Sequence, residues 1–147
     1  MNTFTIYNSN VKPNKEEQQE IIDFLYTQLG KYGDAKEDIK KCLQFAIGDS
    51  AKHTGGFVLI LKEEQTLKGI TIVNETGMSG YIPENLLVYI AVHQNQRGKG
   101  VGKKLMLKAI ELAKGDIALH VEPDNPAKKL YEKLGFENKY LEMRFKK

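Results

Sequence analysis

The sequence predicts an α/β fold in which four helices flank a mixed sheet of about six strands. Three observations predict it. Strand-length apolar runs and amphipathic stretches at helical spacing follow the order β-α-α-β-β-β-α-β-α-β. Glycines stand where the helical patterns stop, at Gly33, Gly48, Gly115 and Gly135. The run LLVYIAV (86–92) is apolar without alternation, as in a strand covered on both faces, and a helix and a further strand follow it, a crossover that makes the two strands parallel.

Each element has a local reason. TFTIY (3–7) alternates as a short strand. Asn14 and Glu17 form a capping box that opens a helix from about Lys15 to Tyr32, with Ile21, Ile22, Leu25 and Leu29 on one face. Asp34, with Glu37 three positions on, opens a second helix carrying Ile39, Cys42, Leu43, Ala46 and Ile47 at i, i+3, i+4, i+7 and i+8, which puts Cys42 on the buried stripe. A polar linker containing His53, read as a surface loop residue, leads to FVLILK (57–62) and TLKGITIV (66–73), a hairpin joined by EEQ. After the glycine-spotted loop 74–85 and the central strand, Val101, Leu105, Met106, Ala109, Leu112 and Ala113 share one face of a third helix. DIALHV (116–121) reads as a strand, AKKLYEKL (127–134) as a helix, and KYLEMRF (139–145) holds a last strand. No repeat or internal boundary divides residues 1–147, so one domain is expected.

Composition narrows the function classes. Hydrophobic residues make up 41% and charged residues 28%, with no apolar run near the roughly 18 residues of a spanning helix, which argues against a membrane protein. The start, MNTFTIYNSN, lacks the basic flank and apolar stretch of a signal peptide, and the expected location is the cytoplasm. A lone cysteine, Cys42, allows no internal disulfide and no cysteine-based zinc site, and no metal is expected. A net charge of +3 favours a local anion site over a nucleic-acid track.

That anion site is read in NQRGKGVGKKLM (95–106). A Walker loop fails: the spacing from Gly98 to Gly102-Lys103 is one residue short, and Lys104 stands where a magnesium-binding hydroxyl is required. A dinucleotide fingerprint fails because Lys103 or Leu105 takes the place of its third glycine. What remains is Arg97-x-x-Gly100-x-Gly102 between a buried strand and an amphipathic helix. Glycines there let the backbone approach a ligand, and successive N–H groups at a helix N-terminus cradle phosphate oxygens, with Arg97, Lys99, Lys103 and Lys104 adding charge. The competing reading is a tight turn with solvated lysines.

Together with VEPDNPAKKLYEKLGF (121–136), this segment resembles the GNAT superfamily of coenzyme A-dependent N-acyltransferases, over nearly the whole chain in element order and most sharply from Leu86 to Phe136. The resemblance implies a sheet of six to seven strands and an N-acetyltransferase that uses acetyl-coenzyme A and an amine acceptor. It also implies pyrophosphate contacts from the backbone of Arg97, Gly98, Lys99, Gly100, Val101, Gly102 and Lys103, and pantetheine contacts from Ile90, Ala91, Val92 and Asn125. Tyr131 would lie near the sulfur.

Acyl transfer to an amine needs a neutral amine, a donor for the oxyanion and an acid for the thiolate. Tyr131 is expected as the acid and the N–H of Ala91 or Val92 as the oxyanion donor, with direct transfer in a ternary complex. Glu84, just before the central strand, is the candidate base. His120 and Glu122 hold weaker claims on that role, His93 reads as a turn residue, and Cys42 as a core residue rather than an acyl carrier. Tyr32, Tyr81 and Glu84 are candidates for the acceptor's surroundings. Gln94 stands where the family often has proline. Only eleven residues follow Phe136, where the family usually closes with two strands, and a second subunit completing that edge would make a homodimer. Two other classes stay open: a noncatalytic acyl-coenzyme A sensor, and a nucleic-acid module, which the absence of aromatics near the basic turn disfavours.

Overall fold

In the computed structural model, which describes residues 1–49 and 55–147, the elements are β1 (Asn2–Tyr7), α1 (Lys15–Leu29), α2 (Lys36–Ala46), β2 (Gly56–Glu63), β3 (Thr66–Glu75), β4 (Asn85–Val92), α3 (Val101–Leu112), β5 (Ile117–Leu119) and α4 (Ala127–Lys133). The expectation for His53 lies outside the described residues. Asn14 starts α1 as its capping box predicts: its side chain accepts from the Glu17 N–H at 2.8 Å, and the Glu17 carboxylate accepts from the Asn14 N–H at 2.8 Å. The helix ends three residues earlier than the expected Tyr32, because Gly30 takes a left-handed φ of 55° and a single 3₁₀ turn carries the chain to Gly33. The second helix also starts later than Asp34, with no side-chain cap at Ala35. The Asp34 carboxylate is engaged elsewhere, by the Tyr89 hydroxyl.

The sheet runs β1-β2-β3-β4-β5, antiparallel through β4 and parallel between β4 and β5, as the crossover predicts. Alternation along β2 sends Val58 and Ile60 to one face and Leu59 and Leu61 to the other. On the first face α1 and α2 cover the sheet with Ile21, Leu25, Ile39 and Leu43; on the second, α3 and α4 bring Leu105, Met106, Ala109 and Tyr131. Each fully buried leucine or isoleucine contributes about 1.5–3 kcal/mol. Gly69 sets the distance at which α3 can lie: a Cβ there would stand 2.7 Å from Leu105 Cδ1 and 3.1 Å from the Ala91 carbonyl.

The strand count corrects the expectation. Among the described residues there are five strands, not six or seven: β5 is three residues long, and residues 137–147 form no ladder. Alternation in KYLEMRF is real, but a strand also needs a partner, and within one copy this segment has none.

Candidate active site

The site grows from an irregularity in β4. The β3–β4 register slips between Ile72, opposite Tyr89, and Val73, opposite Leu87, which leaves Val88 as an extra residue on β4. Beyond this bulge, the His93 N–H donates to the Lys68 carbonyl at 2.8 Å. Strict alternation then turns the backbone groups of Ala91 and Tyr89 toward β3 and those of Ile90 and Val92 toward β5. On that side the ladder stops at Leu87 opposite Leu119. From Val88 to Val92, about 13 Å of strand edge faces a gap. Of the two expected oxyanion donors, Val92 faces this gap and Ala91 faces β3.

The gap is closed at one end. The Asn85 N–H donates to the Asp116 carbonyl at 3.0 Å and its side-chain amide to the Lys114 carbonyl at 2.9 Å. The Asp116 N–H donates to Glu84 Oε1 at 2.7 Å and the Gly80 N–H to Oε2 at 3.2 Å. These backbone donors, Asp116 first, hold the Glu84 carboxyl below the usual carboxylate range. Six residues, about 20 Å of strand, separate Glu84 from Ile90. Glu84 fastens β5 to β4 and is poorly suited to take a proton from an amine.

At the other end β4 leads into the glycine turn that the sequence reads as an anion site. Gly98 and Gly100 take left-handed φ values of 77° and 80°, and α3 begins without a side-chain cap. Lys104 is the first residue whose N–H bonds back, to the Gly100 carbonyl at 3.1 Å, so the N–H groups of Val101, Gly102 and Lys103 have no intrahelical acceptor. Lys99, Lys103 and Lys104 are exposed around them. Arg97 does a different job with its side chain: Nη2 donates to the Gln28 carbonyl at 2.8 Å and Nε to the Val92 carbonyl at 3.4 Å, tying the last turn of α1 to the end of β4. Gly102 is a packing glycine, since a Cβ would lie 3.3 Å from Leu130 Cδ2 of α4.

The far wall comes from α4 and the turn before it. Tyr131 is 7% exposed, its ring centroid 6.1 Å from that of Phe136, and burial pushes its phenol up to about 12. Asn125 Oδ1 accepts from the Ala127 N–H at 2.9 Å and so shapes the start of α4. The α1–α2 connection reaches this turn: the Tyr32 hydroxyl donates to the Asp124 carbonyl at 3.3 Å, and Lys31 Nζ pairs with Asp124 Oδ2 at 3.3 Å.

Other expected residues fall outside this arrangement. His120 and Glu122 are exposed beyond the end of β5, which stops short of the expected Val121. Tyr81 is exposed, and His93 Nδ1 accepts from the Asn95 N–H at 3.1 Å in a turn, as expected. Cys42 lies in the core, where burial pushes its thiol up to about 12. Among the described residues no group of three or more His, Cys, Asp or Glu is placed to hold a metal, and no helix is long and apolar enough to cross a membrane. A surface depression of about 300 Å³ lies away from this region, between Phe4 of β1 and Leu107 of α3. It holds no comparable set of backbone donors, and the β4 edge is a groove open to one side rather than a cavity.

Sequence reasoning missed Asp34, read only as a helix start. Its Oδ2 accepts from the hydroxyl of Tyr89 at 2.5 Å, and Tyr89 precedes gap-facing Ile90 on β4. Burial, reinforced by that carboxylate, pushes the Tyr89 phenol well above its ordinary value, so it stays a proton donor to Asp34. No spacing in the sequence links positions 34 and 89.

The sequence profile of the acetyltransferase (GNAT) family matches residues 18–136. A 5-NmdU N-acetyltransferase of Pseudomonas phage PaMx11 is 27% identical over 123 residues, covering 82% of this chain and 81% of the phage protein. Among solved structures, aminoglycoside N-acetyltransferase AAC(6')-Iy in complex with CoA superposes with a TM-score of 0.68 at 16% identity, over 100% of this chain and 96% of that one. Ribosomal-protein-alanine N-acetyltransferase of Brucella melitensis biovar Abortus 2308 superposes with a TM-score of 0.65 at 18% identity, over 99% of both chains. These two likenesses establish the fold. With the profile covering most of its length, the chain belongs to the acetyltransferase (GNAT) family, acyltransferases that draw their acyl group from acetyl-coenzyme A.

Proposed function

We propose that residues 1–147 act as one N-acetyltransferase domain that moves an acetyl group from acetyl-coenzyme A directly to a primary amine held in the same complex. The observation that carries this reading is the continuity between the open β4 edge and the start of α3: backbone donors at Ile90 and Val92 run into uncapped N–H groups at Val101, Gly102 and Lys103. An elongated ligand with an amide-bearing arm and a pyrophosphate fits that sequence of donors, the pyrophosphate against α3 and the arm as a partial substitute for the missing β5 ladder. The N-acetylation named for the phage relative supports nitrogen as the acceptor atom.

Acetyl-coenzyme A supplies a thioester carbonyl and a thiolate leaving group. The chain's own groups do the rest. Lys99, Lys103 and Lys104 add charge at the pyrophosphate end, and Asn125 Nδ2 donates toward the arm. The Val92 N–H stabilises negative charge on the carbonyl oxygen as the amine adds. Tyr131 donates its proton to the departing sulfur; a phenol held near 12 remains protonated across the working range. An alkyl amine with a pKa near 10.4 is mostly protonated at neutral pH, so it needs a carboxylate that binds the ammonium and draws off its proton. Glu84 is the sequence's candidate for that role; Asp34, exposed at the start of α2 and held by the Tyr89 hydroxyl, is a second carboxylate for it.

Free-thiol release from acetyl-coenzyme A across a panel of amines, peptides and aminoglycosides tests the reading. At least one acceptor should give turnover, and Tyr131→Phe should lower it by about 10²- to 10⁴-fold with coenzyme affinity unchanged. Tight coenzyme binding without release for any acceptor would favour the sensor reading, and unchanged turnover in Tyr131→Phe would remove the acid.

A further inference from the structure

At the end of the sheet away from β4, β1 pairs with β2 alone, and among the described residues no strand lies along its outer side. The Met1 carbonyl accepts from the Glu64 N–H at 3.4 Å, so alternation turns the backbone groups of Thr3, Thr5 and Tyr7 toward β2 and those of Asn2, Phe4 and Ile6 outward. Folded chains blunt such an edge with a charge, a proline or a bulge. NTFTIY has no charged residue and no proline, and its register with β2 is unbroken.

The surface beside this edge is shaped as well. On the α3 side, the depression of about 300 Å³ is lined by Phe4, Leu61 and Leu107 and by the two cations Lys104 and Lys108. Phe4 is 39% exposed, Leu107 49% and, one turn further along α3, Ile110 40%. Lys108 Nζ stands 5.8 Å from the centre of the Phe4 ring and pairs with Glu111 at 3.3 Å, whereas Lys104 forms no ion pair among the described residues. Asn2 Oδ1 is shielded from water and has no donor among those residues, a deficit that one incoming N–H removes.

We propose that β1 accepts an extended segment of a partner polypeptide as a sixth strand, with an apolar side chain of that segment in the depression beside Phe4 and an acidic one against Lys104. Pairing at Asn2, Phe4 and Ile6 supplies affinity, and the depression and the lysine select the sequence. In antiparallel register, the partner residues opposite Asn2, Phe4 and Ile6 turn their side chains to the α3 face, where the depression lies. A second copy of this chain suits the edge less well, because twofold pairing centred on Phe4 brings Lys108 against its own counterpart. A strand of about six residues makes an interface below about 1,200 Å², the size of a weak and reversible contact. β2 and β3 separate this surface from β4, so acyl transfer is not required for it.

Amide NMR of the full chain tests this, with a capped seven-residue peptide in which threonine alternates with valine, leucine and glutamate in that order. In antiparallel register its leucine falls opposite Phe4 and its glutamate opposite Asn2. Saturable shifts and slowed exchange are expected at Asn2, Phe4 and Ile6, with side-chain shifts at Leu107. Lysine in place of the peptide's glutamate should weaken binding by about fivefold. Two substitutions should each abolish it, with a circular dichroism spectrum of unchanged shape: Phe4→Pro removes an outward N–H that the β2 ladder does not use, and Leu107→Lys puts a charge into the depression. No saturable change at β1 up to millimolar peptide overturns the proposal, as do changes confined to the β4 edge. Equal binding of the lysine peptide, or binding that either folded variant retains, also overturns it. So does a wild type that doubles its mass by pairing through β1, since the occupant is then a second copy.

Discussion

The two edges of β4 have opposite characters. Toward β3 the strand is paired at every residue but the bulged Val88, and the face beneath α1 and α2 is filled by Leu25, Ile39, Leu43, Ile70 and Ile72, all without exposure. Toward β5 it is paired for three residues, and the elements beyond, β5, the following turn and α4, are mostly half-buried. The comparison teaches how one strand can be both scaffold and site. The packed edge holds the backbone still, so that Ile90 and Val92 point their groups in a fixed direction, and the unpaired edge leaves those groups for a ligand.

Core substitutions should separate the two regions most widely. Leu43→Ala in the packed face should cost about 2–5 kcal/mol, whereas Leu134→Ala at the end of α4 should cost under about 1.5 kcal/mol in chemical denaturation. Equal losses would break the comparison. Coenzyme A at about a hundred times its dissociation constant should add about 2.7 kcal/mol of stability. Hydrogen exchange should slow chiefly along β4, β5, α4 and the start of α3, and a uniform slowing would mean that the two sides of β4 are not distinct units.

The alkaline range gives a smaller effect with one titrating group from each side. Cys42 and Tyr131 are both raised by burial to about 12, from 9.0 and 10.0. Between pH 9 and 12 the folded chain therefore keeps protons that the unfolded chain releases. Stability is fully present below pH 9 and falls as pH rises through that window. In thermal melts across pH, Cys42→Ala should remove the part of the decline that begins near pH 9, and Tyr131→Phe a share of the part that begins near pH 10, to which the raised Tyr7 and Tyr89 phenols also contribute. Native Cys42 should also resist alkylation at pH 8 and react once the chain is unfolded. The smallest effect is at two asparagines that bond to nearby backbone, the Asn14 cap of α1 and the Asn125 turn before α4. Asn14→Ala and Asn125→Ala should each cost about 1 kcal/mol, but only the second should also weaken coenzyme A binding in calorimetry.

Legibility in the sequence divides along the same line. Helix faces, the hairpin, the buried strand and the crossover could be read because each is a local periodicity that packing then satisfies, as Ile39, Cys42 and Leu43 do on α2. The glycine turn before α3 was readable because Gly98 and Gly100 are demanded by local backbone geometry. The bulge at Val88 was not, since LLVYIAV carries no glycine or polar break to mark it. Asp34 was out of reach for another reason: its partner is 55 positions away. Position before the central strand says nothing of where the Glu84 carboxylate points, and backbone amides of Asp116 and Gly80 hold it. The last strand misled because alternation in KYLEMRF does not itself supply the partner that a strand needs.

The central claim is that the uncapped start of α3 binds the pyrophosphate that the open β4 edge leads to. Titration calorimetry with coenzyme A and with pantetheine, on the wild type and on Gly100→Val, tests it directly. Gly100 has a left-handed φ of 80°, which a β-branched side chain resists, so the substitution should reshape the turn with little else in contact. The wild type should bind coenzyme A at least about a hundredfold more tightly than pantetheine, a difference of about 2.7 kcal/mol, and Gly100→Val should collapse most of that gap while leaving pantetheine binding as it was. A gap that persists undiminished in Gly100→Val would place the pyrophosphate elsewhere and contradict the account.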